Sequence, residues 1–400
     1  MEGKKLLHSI TLKNLLSYGS EGMTLDLEPL NVLIGPNSSG KSNLIEAVSL
    51  LAATPRDLAK PLRMGGGTEE WLWKGSEDLP VAELAATIDY PAGSSLLYYN
   101  LMFTAVQYRL AVVGERIDDV PELPPAPKDP IYEFEGGEAF LLSRANAREG
   151  SRGKALRIPA RDLDLTQSIL SQRRDPQNYP ELTYLGVRLK EIAFFRDWTL
   201  GRESAARQAQ SVDLPNDFLL EDSSNLGLVL NDLQNRLEVR RRLLEALKPL
   251  YERIEDVTTK IQGGAIQILC HEKGLKRPVP ASCLSDGTLH YLSLLTILLH
   301  PDPPPLICIE EPELGLHPDV IPHVADLLLD ASKRTQLIVT THSETLVSRL
   351  SEVPESVVVC ERDDRGTQLR RLDPEKLHDW LDRYNLGELW AKGEIGGNRW

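Results

Sequence analysis

The chain has 400 residues, 45 of them basic and 59 acidic, so its formal net charge is −14 at pH 7. A chain this acidic is not expected to be coated by nucleic acid, because phosphate backbones attract positive charge, although a local basic strip is compatible with it. No apolar run approaches the roughly 20 residues that span a bilayer, and the N-terminus lacks the apolar stretch of a signal peptide. The four cysteines form no CxxC pair, which predicts a reduced cytoplasmic protein with buried thiols.

The N-terminal part of the chain is predicted to form three strands and a helix. Residues 8–12 and 23–27 alternate polar and apolar side chains, as half-buried strands do, whereas residues 31–34 form an apolar run typical of a buried parallel strand. A helix is predicted from Lys41 to about Ala53, because leucine and valine recur on one face.

The middle of the chain has a different pattern. Residues 81–90, 96–105 and 107–113 are closely spaced strand-like segments that predict an antiparallel meander. The five prolines in residues 121–130 predict a loop or an extended linker. Residues 226–261 are helical in pattern, but no heptad repeat persists, so no long coiled-coil arm is expected.

Short apolar strands alternate with helices in the last third of the chain. Residues 306–309 and 337–340 are candidate buried strands, and residues 320–329 between them are helical in pattern. This alternation is typical of a parallel sheet. A further strand is predicted at residues 357–360, and Asp373 is expected to cap a helix.

The strongest motif lies between the strand at residues 31–34 and the helix that follows it. Residues 35–42, GPNSSGKS, match GxxxxGK[ST] in the strand–loop–helix context that this motif requires. Its glycines allow backbone N–H groups to surround a phosphate, and the helix N-terminus adds positive potential. Lys41 can then reach the β- and γ-phosphates, and Ser42 can hold Mg²⁺.

Carboxylates and a histidine follow the two later strands. Glu310 and Glu311 come at the end of one apolar strand, and His342 follows the next. The carboxyl ends of parallel strands meet at one edge of a sheet, so these side chains are expected near the P-loop. Because successive side chains alternate, one carboxylate can face the metal while the other polarises a water. The histidine can donate a hydrogen bond to the γ-phosphate.

A shorter motif, CLSDGT at residues 283–288, precedes an apolar helix. A serine and a glycine at a helix start are suited to binding phosphate. An ordinary N-cap formed by Ser285 or Asp286 explains the same residues.

The ordered motifs GPNSSGKS, LSDGT, ICIEEPE, LHP and THS resemble those of ATPase heads of the ABC superfamily. Within it, the chain resembles the branch that contains RecF, SMC-type heads and OLD-family ATPases, often called AAA-type. The resemblance covers residues 1–65 and 265–350. It implies an α/β fold, namely a P-loop NTPase with an ABC-ATPase-head-like mixed sheet. The head would be split between residues 1–65 and 265–400, with an inserted β-rich lobe and helical subdomain at residues 66–264.

The resemblance also implies roles for matching residues, with ATP and Mg²⁺ as ligands. Glu311 would be the general base, His342 the switch histidine, and Lys41 a further catalytic group. Residues 314–318 would form the D-loop. ATP would be bound by the P-loop and the signature motif, at Gly35, Asn37, Ser38, Ser39, Gly40, Lys41, Ser42, Asn43, Ser285 and Gly287. Mg²⁺ would be held by Ser42, by Glu310 in the Walker B position, and by a Q-loop glutamine.

In such heads the signature motif contacts the nucleotide of the opposite protomer. The resemblance therefore implies a homodimer in which ATP joins two chains head to head and hydrolysis releases them.

Two features depart from the pattern of the family. The Q-loop glutamine is not fixed by spacing: Gln167 is the best candidate, with Gln107 and Gln172 as rivals. The signature motif has Asp286 where transporters usually carry glycine, which points away from a transport subunit.

Several uses of such a head compete. The resemblance favours a DNA-linked defence or genome-maintenance ATPase over a RecF-like repair ATPase that acts alone, and more strongly over the ATPase subunit of a transporter. An SMC-like chromosome protein would need the long coiled coils that the sequence lacks. Fewer than 60 residues follow His342, too few for the nuclease domain of OLD proteins. We therefore expect a separate effector, nuclease or toxin-like, as in bacterial anti-phage and toxin–antitoxin-like systems.

Two segments are candidate contact surfaces. Residues 142–161 hold six basic residues against one acidic and are the candidate DNA surface, although a solvated loop explains the same composition. Further members of this candidate surface are Arg188, Lys190, Arg196, Arg202 and Arg207, interleaved with Phe194, Phe195 and Trp198. The tail GELWAKGEIGGNRW, with Trp390 and Trp400, is expected either to dock a partner or to pack on its own head.

Overall fold

The computed structural model describes residues 2–91, 95–121, 130–143, 154–250 and 253–397. Most of the predicted proline-rich loop at residues 121–130 and half of the basic strip at residues 142–161 lie outside these residues, as does Trp400.

The chain forms strands and helices in alternating groups. The strands are β1 (Leu7–Lys13), β2 (Met23–Asp26), β3 (Leu30–Ile34), β4 (Ala82–Tyr90), β5 (Ser95–Val106), β6 (Arg109–Pro121), β7 (Tyr132–Glu135), β8 (Glu138–Ser143), β9 (Lys154–Pro159), β10 (Ala193–Phe195), β11 (Gln210–Ser211), β12 (Ile254–Gln262), β13 (Ala265–Glu272), β14 (Val279–Pro280), β15 (Leu306–Glu310), β16 (Gln336–Thr340), β17 (Val357–Asp363) and β18 (Gly366–Arg371). The helices are α1 (Lys41–Ala53), α2 (Ala59–Met64), α3 (Thr68–Trp71), α4 (Ile169–Gln172), α5 (Pro180–Lys190), α6 (Leu226–Gln234), α7 (Leu237–Leu247), α8 (Asp286–Leu298), α9 (Ile321–Ala331), α10 (Glu344–Ser348), α11 (Pro374–Leu381) and α12 (Leu386–Ala391).

A six-stranded sheet positions the predicted motifs. Its strand order is β10-β15-β16-β3-β17-β18. The first five strands run parallel and β18 is antiparallel. Every residue of β3 and β16 is buried, as expected for parallel strands covered on both faces. The carboxyl ends of β3, β15 and β16 therefore lie side by side, which confirms the predicted mixed sheet.

The two faces of this sheet belong to different parts of the core. Leu33, Cys308 and Ile338 pack with α1 and the N-terminal β-strands. Their neighbours along the same strands, Val32 and Ile309, pack with α8 and α9 instead. The six-stranded sheet is thus the middle layer between two apolar clusters.

An eight-stranded antiparallel sheet has the order β2-β1-β4-β5-β6-β7-β8-β9. It contains the predicted meander, but β6 begins at Arg109 rather than at Gln107. Gln107 and Tyr108 have φ values of 50° and 64° and form the tight turn of the β5–β6 hairpin, in which positive φ is required.

Strand pairing crosses the predicted boundaries between head and insertion. β1 and β2 share a sheet with β4–β9, and β10 pairs with β15. The division at residues 65 and 265 stays a prediction.

The predicted helix over residues 226–261 is only partly right. Helices α6 and α7 fill its first part, but Ile254–Gln262 is strand β12, paired antiparallel with β13. Four of the five residues from Val257 to Ile261 are β-branched, which favours a strand, and pairing with β13 buries Val257. The helical spacing of apolar residues in α6 and α7 does not continue into β12.

Two further predictions concern buried thiols and the lack of a membrane-spanning segment. Cys270, Cys308 and Cys360 are buried free thiols, whereas Cys283 is free and exposed, so the prediction of buried thiols fails at that residue. Within the described part of the chain, no helix is long and apolar enough to cross a membrane.

Candidate functional site

The loop between β3 and α1 has the backbone of a phosphate-binding nest. Gly35, Ser38 and Gly40 have φ values of 149°, 66° and 105°, which turn successive N–H groups toward one concavity. A side chain at Gly35 would overlap the carbonyl oxygen of Cys360, and one at Gly40 would overlap the Thr367 hydroxyl. Glycine is therefore required at both positions.

A cleft of about 440 Å³ opens beside this loop. It is lined by Asn37, Ser38, Gly40, Lys41, Ser42, Asn43, Glu311, Thr340, His342 and Arg362. Predicted residues from the P-loop, from the end of β15 and from the end of β16 thus meet in one place. Gly35 and Ser39 lie behind the lining, and Ser39 is 2% exposed with a hydroxyl that has no hydrogen-bond partner among the described residues.

Lys41 is held inside the loop by its own backbone. Its Nζ donates to the carbonyl oxygens of Gly35 at 2.8 Å and Pro36 at 3.0 Å. Burial lowers the pKa of Lys41, and the nearby acidic groups Cys360, Glu311 and Glu310 oppose that shift. The ammonium is therefore fixed at the cleft, and no carboxylate among the described residues lies within ion-pair distance of it. This arrangement suits a cation that binds phosphate.

The first residue after the lysine contacts the Walker B position. Ser42 Oγ donates to Glu310 Oε2 at 3.0 Å. Burial raises the pKa of Glu310, and the hydrogen bond from Ser42 and the charge of Arg196 offset part of that rise. A half-buried carboxylate beside a hydroxyl oxygen fits the oxygen ligands of Mg²⁺. Mg²⁺ is usually bound by one or two protein oxygens together with phosphate oxygens and waters.

Glu311 and His342 face each other across the cleft. His342 Nε2 lies 3.7 Å from Glu311 Oε1. Glu311 has a φ of 45°, and a non-glycine residue in this region costs about 1–3 kcal/mol. Burial, followed by the charge of Lys41, lowers the pKa of His342, so its neutral form is favoured. The strained backbone aims the second carboxylate into the cleft while Glu310 stays beside Ser42.

The third carboxylate of the acidic run has a positioning role. Glu313 Oε1 accepts hydrogen bonds from Thr341 Oγ1 at 2.7 Å and from the His342 backbone N at 2.8 Å. It thereby fastens the loop after β16 to the loop after β15. The sequence pattern grouped Glu313 with the acidic edge but gave it no such role.

The signature motif lies away from this cleft. Ser285 caps α8, and its Oγ accepts from Thr288 N at 3.1 Å, so the N-cap explanation is correct for its hydrogen bonding. Gly287 packs against the D-loop, where a side chain would come within 2.6 Å of the Gly315 carbonyl oxygen. Asp286 Oδ1 accepts from Gly201 N at 2.9 Å and from the Arg207 guanidinium. Ser285 itself is exposed, and neither it nor Gly287 lines the cleft around the P-loop.

A tryptophan that the sequence pattern did not assign to the site connects the signature helix to β15. Trp198 Nε1 donates to the Glu310 carbonyl oxygen at 2.7 Å. Its ring lies 4.1 Å from that of His290 on α8, and His290 Nδ1 lies 2.6 Å from the Leu314 carbonyl oxygen in the D-loop. Because a carbonyl only accepts, Nδ1 carries the proton. Hydrogen bonds and ring packing therefore connect the signature helix, the D-loop and the Walker B strand within one chain.

The predicted Q-loop glutamine is wrong on geometry. Gln167 accepts from Leu58 N at 3.0 Å and donates to Asp57 Oδ1 at 3.2 Å. These partners follow the C-terminal end of α1, roughly 20 Å along the helix from Ser42, so Gln167 cannot share a metal with Ser42. Neither rival replaces it, since Gln107 lies in the β5–β6 turn and Gln172 bonds to its own segment around Asp164.

Arg196 lies near the Walker B position, where its positive charge offsets part of the rise in the pKa of Glu310. Arg196 directly follows β10, the neighbour of β15, and pairs with Glu46 at 3.0 Å and Glu221 at 3.4 Å. Strand β10 has three residues, too short a run to stand out from the sequence. This is why the sequence pattern did not indicate Arg196 as part of the site.

The N-terminal and C-terminal hairpins brace the P-loop from outside. Asn43 Nδ2 donates to Ser17 Oγ at 2.7 Å. Thr367 Oγ1 lies 2.7 Å from the same oxygen and 2.9 Å from the Ser39 carbonyl oxygen. The Arg362 guanidinium lies 6.0 Å from the centre of the Trp73 ring at the edge of the cleft. The contacts of Thr367 span more than 300 residues of sequence, so no local pattern could predict them.

The described part of the candidate DNA surface is largely used within the chain. Arg188 pairs with Glu191, Arg157 with Glu138, and Arg207 with Asp286. Phe195 is 1% exposed and belongs to the core. The aromatic interleaving is therefore core packing, and Arg144, Arg148 and Arg152 lie outside the described residues.

The buried His290 predicts a pH dependence of stability. Burial lowers its pKa from 6.5 to about 4, so between these values the unfolded state binds more protons than the folded state. Stability from this group is therefore present above pH 6.5 and is lost as the pH falls toward 4, by about 2 kcal/mol between pH 7.5 and pH 5. We expect His290→Gln, which keeps a donor for Leu314, to lose less stability than the wild type over this interval in denaturant titrations. Identical pH dependence of the two proteins would contradict the assignment.

A family model and a curated relative each match about two thirds of the chain or more. A family model described as "AAA domain, putative AbiEii toxin, Type IV TA system" matches residues 30–348. Over 298 residues the chain is 28% identical to the chromosome partition protein Smc of Mycolicibacterium paratuberculosis (strain ATCC BAA-968 / K-10). That match covers 67% of this chain and 23% of Smc, so the chain spans less than a quarter of the relative's length.

Solved structures of SMC heads share the fold. The Smc head bound to the C-winged helix domain of ScpA has a TM-score of 0.57 at 14% identity, covering 93% of this chain and 99% of that one. The Pyrococcus furiosus Smc head with an extended coiled coil, bound to the C-terminal domain of ScpA, has a TM-score of 0.55 at 14% identity, with coverages of 94% and 98%. At this identity the likeness shows the fold alone. Since the family model covers well over half of the chain, the protein belongs to this family of AAA domains and has the P-loop fold of an SMC-type ATPase head.

Proposed function

We propose that the protein is a cytoplasmic ATPase whose two composite sites form when ATP joins two chains head to head. The observation that carries the proposal is the meeting of Lys41, Ser42, Glu311 and His342 in one cleft, with Glu310 bonded to Ser42. A cation, a hydroxyl, two carboxylates and a neutral histidine are the groups that phosphoryl transfer to water needs.

Each group has a distinct task in this proposal. The P-loop amides and Lys41 bind the phosphates, and Glu311 accepts a proton from the attacking water. His342, neutral because its pKa is lowered, donates a hydrogen bond to the γ-phosphate. Mg²⁺, held by Ser42 and Glu310, would neutralise phosphate charge.

The position of the signature motif favours a dimer. Ser285 is exposed and does not line the cleft of its own chain, yet α8 presents a capped helix N-terminus suited to an anion. A second chain, facing the first, would bring this N-terminus to the open side of the nucleotide. The composite site would be complete only in the dimer.

An arginine at the signature serine tests this arrangement. Ser285→Arg is expected to leave ATP affinity unchanged and to lower the hydrolysis rate roughly tenfold or more, because it blocks only the contact across the dimer. Ser282→Arg, at an exposed serine three residues earlier, is the matched control and is expected to hydrolyse ATP like the wild type. A Ser285→Arg protein with full activity would refute the composite site.

The family suggests what ATP binding and hydrolysis control in this protein. Its description names a putative toxin of a type IV toxin–antitoxin system, and Smc heads of the same fold have been solved with a ScpA domain bound. We infer that ATP-driven closure here controls a defence-linked activity through a separate protein. Co-purification of such a protein with the ATP-bound form, and its loss with ADP, is the expected outcome.

A further inference from the structure

The segment after α12 packs against the P-loop. Trp390 and Ile395 are 7% and 3% exposed, so the described part of the tail packs on its own head. Gly397 then lies beside the first P-loop residue: a Cβ atom at Gly397 would stand 3.5 Å from Gly35 Cα and 3.1 Å from Val359 Cγ1. Gly397 therefore lies next to the backbone of the P-loop, and a methyl group at Gly397 would press on Val359.

Three hydrogen bonds fix this turn, which we call the glycine strut (residues 393–397). Gly397 N donates to Glu361 Oε1 at 2.9 Å, and Trp390 Nε1 donates to the Gly397 carbonyl oxygen at 3.2 Å. The Arg370 guanidinium donates to the Ile395 carbonyl oxygen at 2.7 Å. Gly396 and Gly397 have φ values of 78° and 75°, which glycine adopts without strain. The strut is thus a built feature of the head.

Gly35 has close neighbours as a result. The Cys360 carbonyl oxygen occupies the space of a side chain at Gly35, and Gly397 lies next to the Gly35 Cα. The Gly35 carbonyl oxygen in turn accepts the hydrogen bond from Lys41 Nζ. Any displacement of Gly35 would therefore move an anchor of the lysine.

We propose that the glycine strut is a positioning element of the P-loop, through which the C-terminal tail and ATP binding are coupled. This inference rests on the proposed function of the P-loop as an ATP site. Coupling is reciprocal, so ATP must order the strut by the same factor by which the strut strengthens ATP binding. A partner that binds the tail would then be able to change the affinity for ATP without touching the cleft.

Gly397→Ala tests the proposal against a control matched in backbone strain. Gly264 in the β12–β13 turn has a φ of 76° and no atom within 4 Å of a Cβ there, so Gly264→Ala carries the same strain without the contact. In the full-length chain we expect Gly397→Ala to weaken ATP binding about five- to tenfold in calorimetry. At saturating ATP its kcat should stay within about twofold of the wild type, since the strut acts on binding. Gly264→Ala should match the wild type in both.

A second measurement holds whether or not the variant folds. In the wild type, hydrogen exchange of the Gly397 amide is expected to slow about five- to tenfold when ATP binds. If Lys41→Ala abolishes ATP binding while Gly397→Ala binds like the wild type, the strut proposal alone is overturned. Unchanged exchange at Gly397 with ATP bound overturns it as well. A wild type that binds no ATP overturns the proposed function instead.

Discussion

Replacing Lys41 by alanine is expected to weaken ATP binding by at least about 30-fold, because removing one partner of a buried charged contact costs roughly 2–5 kcal/mol. Lys41 is 6% exposed, and its ammonium is held at the cleft by two backbone carbonyls. The charge is thus pre-positioned for phosphate, and Arg362 also lines the cleft. Calorimetry with ATP and Mg²⁺ measures the change.

Lys260→Ala is the control for this result. Lys260 is exposed on β12, away from the cleft around the P-loop, and its loss should leave ATP affinity unchanged. Lys41→Met keeps much of the apolar stem and should lose affinity like the alanine variant. Wild-type affinity in either Lys41 variant would contradict the phosphate-binding role of the loop.

Replacing Glu311 by glutamine is expected to lower the rate of ATP hydrolysis about 10³-fold, as loss of a general base does. The substitution keeps the size of the side chain and removes only its ability to accept a proton from water. ATP affinity should be retained, since the phosphate contacts come from the P-loop. Single-turnover phosphate release, followed beside binding, separates the two effects.

Glu255→Gln serves as the matched control for this experiment. Glu255 is an exposed carboxylate on β12, and its variant should hydrolyse ATP at the wild-type rate. A Glu311→Gln protein with more than about a tenth of the wild-type rate would mean that another group accepts the proton.

The elements that carry the chemistry could be predicted from the sequence because their signals are local. The P-loop motif is bounded by an apolar strand and a helix, and the structure has β3 and α1 there. The strands before Glu310 and His342 are short apolar runs, and both are buried in the six-stranded sheet. Parallel pairing then forces their carboxyl ends together.

The remaining parts of the site depend on contacts that are distant in sequence. Trp198 and Arg196 follow a strand of three residues, and their partners lie in β15, α1 and α8. Gln167 matched a family position only by residue type, and its amide is used by Asp57 and Leu58 at the far end of α1. The spacing of a motif cannot distinguish a glutamine that binds a metal from one whose amide makes such hydrogen bonds.

The most direct test of the central claim is the mass of Glu311→Gln in solution by light scattering. With ATP and Mg²⁺ the account predicts the mass of two 400-residue chains, and with ADP the mass of one. A single-chain mass under saturating ATP would contradict the head-to-head dimer.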